Sequence, residues 1–258
     1  MDRRGNIFWV TCRNLLFFVT VLFTVTGLLF SDAVYAKTDK TKSKSKNHFQ
    51  QKRLKINPVT KSEDAWTANA ETDVYRAGTY ENLIIGYSAI NGWDFSLTLI
   101  NTQVLGSHKH FVGETFFNIS KTFDINDSFS MVLGSQNGLA LVNSHPQLWY
   151  DYTYLDNRYT IFPWLLIHGG VYFANAALTQ TSRQIGFLTG TEIQLIQKCL
   201  SLQMDYISGH QNLSGATINL LLNITTRTQM YLGVSVPEQN SGNEFAGIAG
   251  FNFSTKDF

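Results

Sequence analysis

Glu192 and Asp205 flank Gln197-Lys198 at a spacing that puts both carboxylates on one face of a hairpin. With the turn centred there, Glu192 lies opposite Gln203 and diagonal to Asp205, roughly 7 Å away. Two carboxylates at that separation can do acid/base work or hold a cation. They also arise wherever polar and apolar residues alternate along paired strands, and this plainer origin is favoured. The histidines suggest less. His108, His110, His145 and His210 all fall in expected loops, and Ser208 with His210 is the nearest serine–histidine pair in sequence. Nucleophilic hydrolysis needs those groups in hydrogen-bond contact, which a spacing of two does not provide. The chain has no G-x-S-x-G, no H-E-x-x-H and no glycine-rich phosphate loop. The expectation is therefore no enzyme, no cofactor and no catalytic residue. With Cys199 in an expected turn, no metal cluster is expected either.

The element that positions these acids is a repeated hairpin, clearest at Thr217–Val236. Ile218, Leu220, Leu222 and Ile224, then Met230, Leu232, Val234 and Val236, alternate with mostly polar neighbours across Thr225–Thr228. Period-two alternation marks strands with one apolar and one polar face. Further units read the same way. Leu83, Ile85 and Tyr87 precede the Asn91-Gly92 turn signal, and Phe95, Leu97 and Leu99 follow it. Short connections fall near residues 91, 125, 157, 197 and 227, with longer ones between them. Tyr159–Phe173 is apolar on both faces and contains Pro163, so a bulged or distorted strand is expected there, with a helix as its rival reading. Eleven strands can be counted from Asn82 onward, and even closure takes a twelfth from Glu71–Gly78.

Composition agrees with this pattern. Charged residues make up 15%, aromatics 14%, and mean hydropathy is −0.08. A bundle of membrane helices would be far more apolar, and an ordinary soluble domain carries about 25% charged residues. An antiparallel transmembrane β-barrel, in which alternation averages hydropathy away, fits all three values.

Ahead of the barrel lie two other segments. Arg3, Arg4 and Arg13 precede an apolar run at Leu15–Phe30, and Val34-Tyr35-Ala36 permits cleavage after Ala36, so residues 1–36 read as a signal peptide. Residues 37–69 read as a basic linker without a core-forming pattern. Lys37–Lys55 carries eight Lys or Arg against Asp39, whereas residues 57–258 carry nine Lys or Arg and sixteen Asp or Glu. The basic stretch is most simply a solvated spacer. It also offers contact with an anionic surface such as lipid headgroups or cell-wall polymer. Nucleic acid is not an expected partner of an exported chain.

The signal peptide, the hairpins with short turns, the Tyr-rich strands and the terminal Phe258 resemble bacterial outer-membrane β-barrels of the porin-like kind. The resemblance covers about residues 70–258 and is architectural; no motif names a subfamily. It implies an all-β barrel of about twelve strands (10–12) in the outer membrane, in contact with lipid. If apolar faces meet lipid, the opposite faces line the interior. Glu114, Asp151, His168, Glu192, Asp205, Gln203 and Asn219 are the lumen-facing candidates, with Lys198, Arg158 and Arg227 left in turns. Such an acidic lumen would favour cations. The expected role is a porin-like passive channel. Rival readings are a non-conducting structural or adhesion barrel and, further off, an outer-membrane lipid hydrolase.

Overall fold

The computed structural model describes residues 64–76, 78–106, 113–140, 149–179, 184–210, 213–239 and 241–258. The signal peptide, the cleavage after Ala36 and the basic stretch Lys37–Lys55 lie outside the described residues, as do His108, His110 and His145.

Twelve strands close into an antiparallel barrel, each paired with its neighbours in sequence and the first with the last. They are β1 Ala65–Tyr75, β2 Gly78–Ser88, β3 Trp93–Gly106, β4 Glu114–Asn126, β5 Phe129–Ala140, β6 Trp149–Phe162, β7 Leu165–Ala174, β8 Gln184–Ile196, β9 Leu200–Ile207, β10 Gly215–Asn223, β11 Thr228–Pro237 and β12 Ala246–Ser254. One helical turn, α1 (Ala176–Thr179), follows β7. Closure leaves no open sheet edge, so every strand finds a partner on both sides. The seam is β1 on β12, from Thr67 opposite Ser254 to Tyr75 opposite Ala246. β1 starts at Ala65, so the barrel takes in the last residues of the segment read as linker.

The hairpin at residues 217–236 pairs in the register its alternation demands, Thr217 opposite Ser235 and Asn223 opposite Gln229. Asn91-Gly92 forms the expected tight turn, with Gly92 at φ 81° and the amide of Ala89 bonded to the carbonyl of Trp93 at 2.7 Å. The connection expected at Asp156–Arg158 is not a turn. Those residues continue β6, with Asp156 opposite Val132 and Gly170, and the chain reverses at Pro163-Trp164. Proline at the reversal needs no ladder partner for its missing N–H. The distortion expected nearby is present as a register shift between Thr160 and Phe162.

The outside of the barrel is apolar. Ile85, Leu97, Phe117, Leu133, Val171, Phe187, Ile218, Val234 and Phe251 are all exposed there, on nine different strands. A continuous apolar exterior of this kind is stable against hydrocarbon rather than water. Aromatic rings gather near the short-turn end: Trp66 with Tyr87, Trp93 with Phe95, and Phe162 with Trp164, at centroid distances of 5.0, 6.3 and 5.3 Å. Trp149 and Phe187 mark the opposite, long-loop end. Such girdles sit where hydrocarbon gives way to headgroups.

The core is inside the barrel. Ile100, Phe116, Val132, Tyr150, Tyr154, Tyr172, Leu178, Leu188, Ile207 and Leu213 form one buried cluster toward the loop end. Leu178 of α1 and Leu213 close over it. Asn175 fixes the helical turn by accepting the amide of Leu178 at 3.0 Å. At the turn end the inward-facing Asn69, Asp94, Glu192, Gln194 and Gln229 are only half-buried. The interior is thus packed at one end and more open at the other.

Candidate functional site in the barrel interior

Alternation sends every second residue inward, and burial identifies which. Glu114, Gln203, Asp205, His168 and Asn219 are buried on the interior face, and Glu192 shares that face opposite Gln203, as its spacing implies. Asp151 does not. On β6 the even residues Tyr150, Tyr152, Tyr154 and Asp156 point inward, so Asp151, between them, faces outward. There Thr153 donates to Asp151 at 3.2 Å and lies 3.3 Å from the Ser135 hydroxyl, to which Asn137 donates at 2.9 Å. The error has a physical origin. A tyrosine is apolar in its ring and polar at its tip, so a Tyr-rich face suits lipid or a polar interior equally well by pattern. The hydroxyls find acceptors inside: Tyr150 on Glu114 at 3.3 Å, Tyr172 on the carbonyl of Ser208 at 2.5 Å.

Reversing that face brings in residues the sequence reading leaves in a turn. Asp156 and Arg158 enter the lumen on β6; independently of β6, Glu71 and Asp73 face inward on β1 and Asp94 on β3. His168 Nδ1 lies 3.1 Å from Asp156 Oδ1, and its Nε2 lies 3.0 Å from Asp205 Oδ1. Arg158 Nε binds the second oxygen of Asp156 at 3.2 Å, and Gln203 donates to the second oxygen of Asp205 at 2.9 Å. A carboxylate only accepts, so with both acids ionised both ring nitrogens donate and the imidazole carries charge. This chain of charge spans β6 to β9. Alternation places His168, Gln203 and Asp205 of this network on the inner face, whereas the polar run Asp156–Arg158 reads as a turn by propensity.

A second network occupies β1, β2, β3, β4, β11 and β12. Tyr231 donates to Glu71 at 2.6 Å, and Asn69 donates to the Tyr231 oxygen at 2.8 Å. Asn82 bonds Asp73 and reaches Glu71 at 3.4 Å, while its oxygen takes the backbone amide of Asn101 at 2.9 Å. Asn101 in turn donates to Glu114 at 3.2 Å. Asparagine and tyrosine meet the acids in these contacts.

Inward glycines let these side chains lie flat. Tyr154 crosses Gly134, Tyr172 crosses Gly186, Tyr231 crosses Gly250, and His168 with Asp205 crosses Gly190, each glycine standing directly opposite on a neighbouring strand. A Cβ at any of these four glycines would run into the group above it. Ser208, by contrast, accepts the amide of Phe187 at 2.8 Å on its hydroxyl, and among the described residues no hydrogen bond joins a serine to a histidine. Nor, among the described residues, do three or more His, Cys, Asp or Glu side chains meet in a metal-holding group.

No family model and no curated protein matches the sequence. Solved structures do. The chain is similar to a NanC porin in a rhombohedral crystal form, at TM-score 0.53 and 7% identity, covering 75% of this chain and 100% of that one. It is similar also to the KdgM porin in complex with disordered oligogalacturonate, at TM-score 0.50 and 15% identity, covering 73% of this chain and 98% of that one. At these identities the likeness is one of fold, and that fold is the closed twelve-strand antiparallel barrel of porin-like proteins.

Proposed function

We propose that this chain is an outer-membrane, porin-like passive channel whose interior favours cations. The observation that carries the reading is the charge of the inward face. Glu71, Asp73, Asp94, Glu114, Asp156, Glu192 and Asp205 stand there against Arg158 and His168 among the described residues. Acids on low-dielectric walls focus a negative potential along the bore and concentrate cations. The KdgM porin is named with oligogalacturonate, a chain of acidic sugars; the interior of the present barrel would repel such a polyanion. Reversal potentials under a salt gradient test the reading: cation preference supports it, and anion preference removes it. Gel mobility of unheated and heated outer-membrane fractions tests the location, because a closed barrel resists detergent until heated. The lysine-rich stretch Lys37–Lys55 would add contact with an anionic surface, measurable as lost sedimentation with anionic vesicles when it is deleted.

A second reading, a non-conducting structural barrel, is favoured by one feature. Phe116, Tyr150, Tyr172 and Leu188 are each no more than 3% exposed and pack the loop end of the interior. Twelve strands lie between the eight that side chains can fill and the sixteen that leave an aqueous channel. Open current steps in a planar bilayer favour the channel; silence at high protein favours the structural barrel.

A further inference from the structure

The geometry points to a binding site for one small monovalent cation between Asn101 and Glu114, deepening the cation-preferring reading on which it rests. Glu114 is 2% exposed, and its two oxygens accept from Asn101 Nδ2 at 3.2 Å and Tyr150 at 3.3 Å. Both donors are neutral, and among the described residues no Lys, Arg or His pairs with it. An ionised carboxylate buried without a neighbouring positive charge is strongly disfavoured and is neutralised by a proton or by a bound cation.

Asn101 supplies the second, independent feature. It sits beside the register shift in the β2–β3 ladder between Glu81 and Leu83, at φ 57° in the left-handed region, so the consecutive residues Ile100 and Asn101 are both buried. A bulge of this kind re-aims a side chain. The nitrogen of its amide is on Glu114, because the oxygen there would face a carboxylate. That leaves Asn101 Oδ1, on a side chain 2% exposed, with no hydrogen-bond donor. An ion seated between this oxygen and the carboxylate neutralises one and satisfies the other. Oxygen-only ligands suit hard cations. A single carboxylate, with no group of three acids or histidines among the described residues, suits sodium, potassium or ammonium rather than a divalent metal.

The test is the thermal unfolding midpoint of the detergent-solubilised full mature chain in KCl and in N-methylglucamine chloride at equal ionic strength. An ion that binds only the folded barrel raises the midpoint. The expected result is a midpoint several degrees higher in KCl, with the difference lost in Glu114→Gln and in Asn101→Gly, which keeps the left-handed backbone, and retained in Asp257→Asn at an exposed ion pair. Equal midpoints in the two salts, or a difference that survives both interior variants, would overturn the site. If Glu114→Gln does not fold, Asn101→Gly decides alone. Reversal potentials are read separately: an anion-preferring or silent barrel that still shows the potassium-dependent midpoint removes the channel reading and keeps the site.

Discussion

His168 Nε2 and Asp205 Oδ1 lie 3.0 Å apart across Gly190, a residue with no side chain to separate them. The two residues are on strands that do not pair with each other, β7 and β9, so only a glycine on the intervening β8 lets them meet. The same imidazole reaches back to Asp156 at 3.1 Å, which makes it the joint between two buried acids.

Gly190→Ala should therefore weaken the barrel. The new Cβ meets both members of the bridge, and the carbonyl oxygen of Met204 at 2.6 Å, which is backbone and cannot swing away. Overpacking of this kind costs about 1–3 kcal/mol. The expected readout is a lower temperature for conversion of the folded to the unfolded gel band. Gly247→Ala, where nothing lies within 4 Å of the added atom, should leave it unchanged.

His168→Leu should cost more, because Asp156 and Asp205 stay buried at 0% and 8% side-chain exposure without the group between them. Removing one partner of a buried pair costs about 3–5 kcal/mol. The triple change His168→Leu, Asp156→Leu, Asp205→Leu should recover much of that loss in denaturant melts. A single variant as stable as the parent would show that the bridge contributes nothing.

Phe116→Ala should open the packed end of the interior. Phe116 is 0% exposed and stacks on Tyr150 at 5.7 Å. Loss of a buried phenylalanine costs about 3–5 kcal/mol. Single-channel conductance should rise, since the ring occupies the bore rather than the lipid face. Unchanged conductance in a folded variant would place the restriction elsewhere.

Asp151 and Asp205 provide a paired test of which acids face the bore. Asp205→Asn should lower cation preference in reversal-potential measurements. Asp151→Asn should not, because that carboxylate is on the outer wall with Thr153 and Ser135. Equal effects would contradict the orientation of β6.

Period-two alternation determined the strand class, most hairpins and the faces of most strands. It did so because a residue's side on a pleated strand follows from its parity alone. Thr217–Val236, Asn91-Gly92 and the Glu192–Gln203 pairing were legible for that reason, as was the count of about twelve strands. Parity does not say which face is the inner one when both are amphipathic, and β6 is such a strand. Two of its tyrosines satisfy their hydroxyls only once β4 stands near them, Tyr150 on Glu114 and Tyr154 on Asn118. Turn propensity failed at Asp156–Arg158 on similar grounds. These residues favour a turn in isolation, but inside the closed barrel Arg158 and His168 neutralise Asp156 and hold it in the ladder. The His168 bridge and the Asn101–Glu114 pair were likewise decided by tertiary structure. Each joins side chains whose meeting depends on barrel closure, on a glycine opposite or on a bulge, and none of these is a property of local sequence.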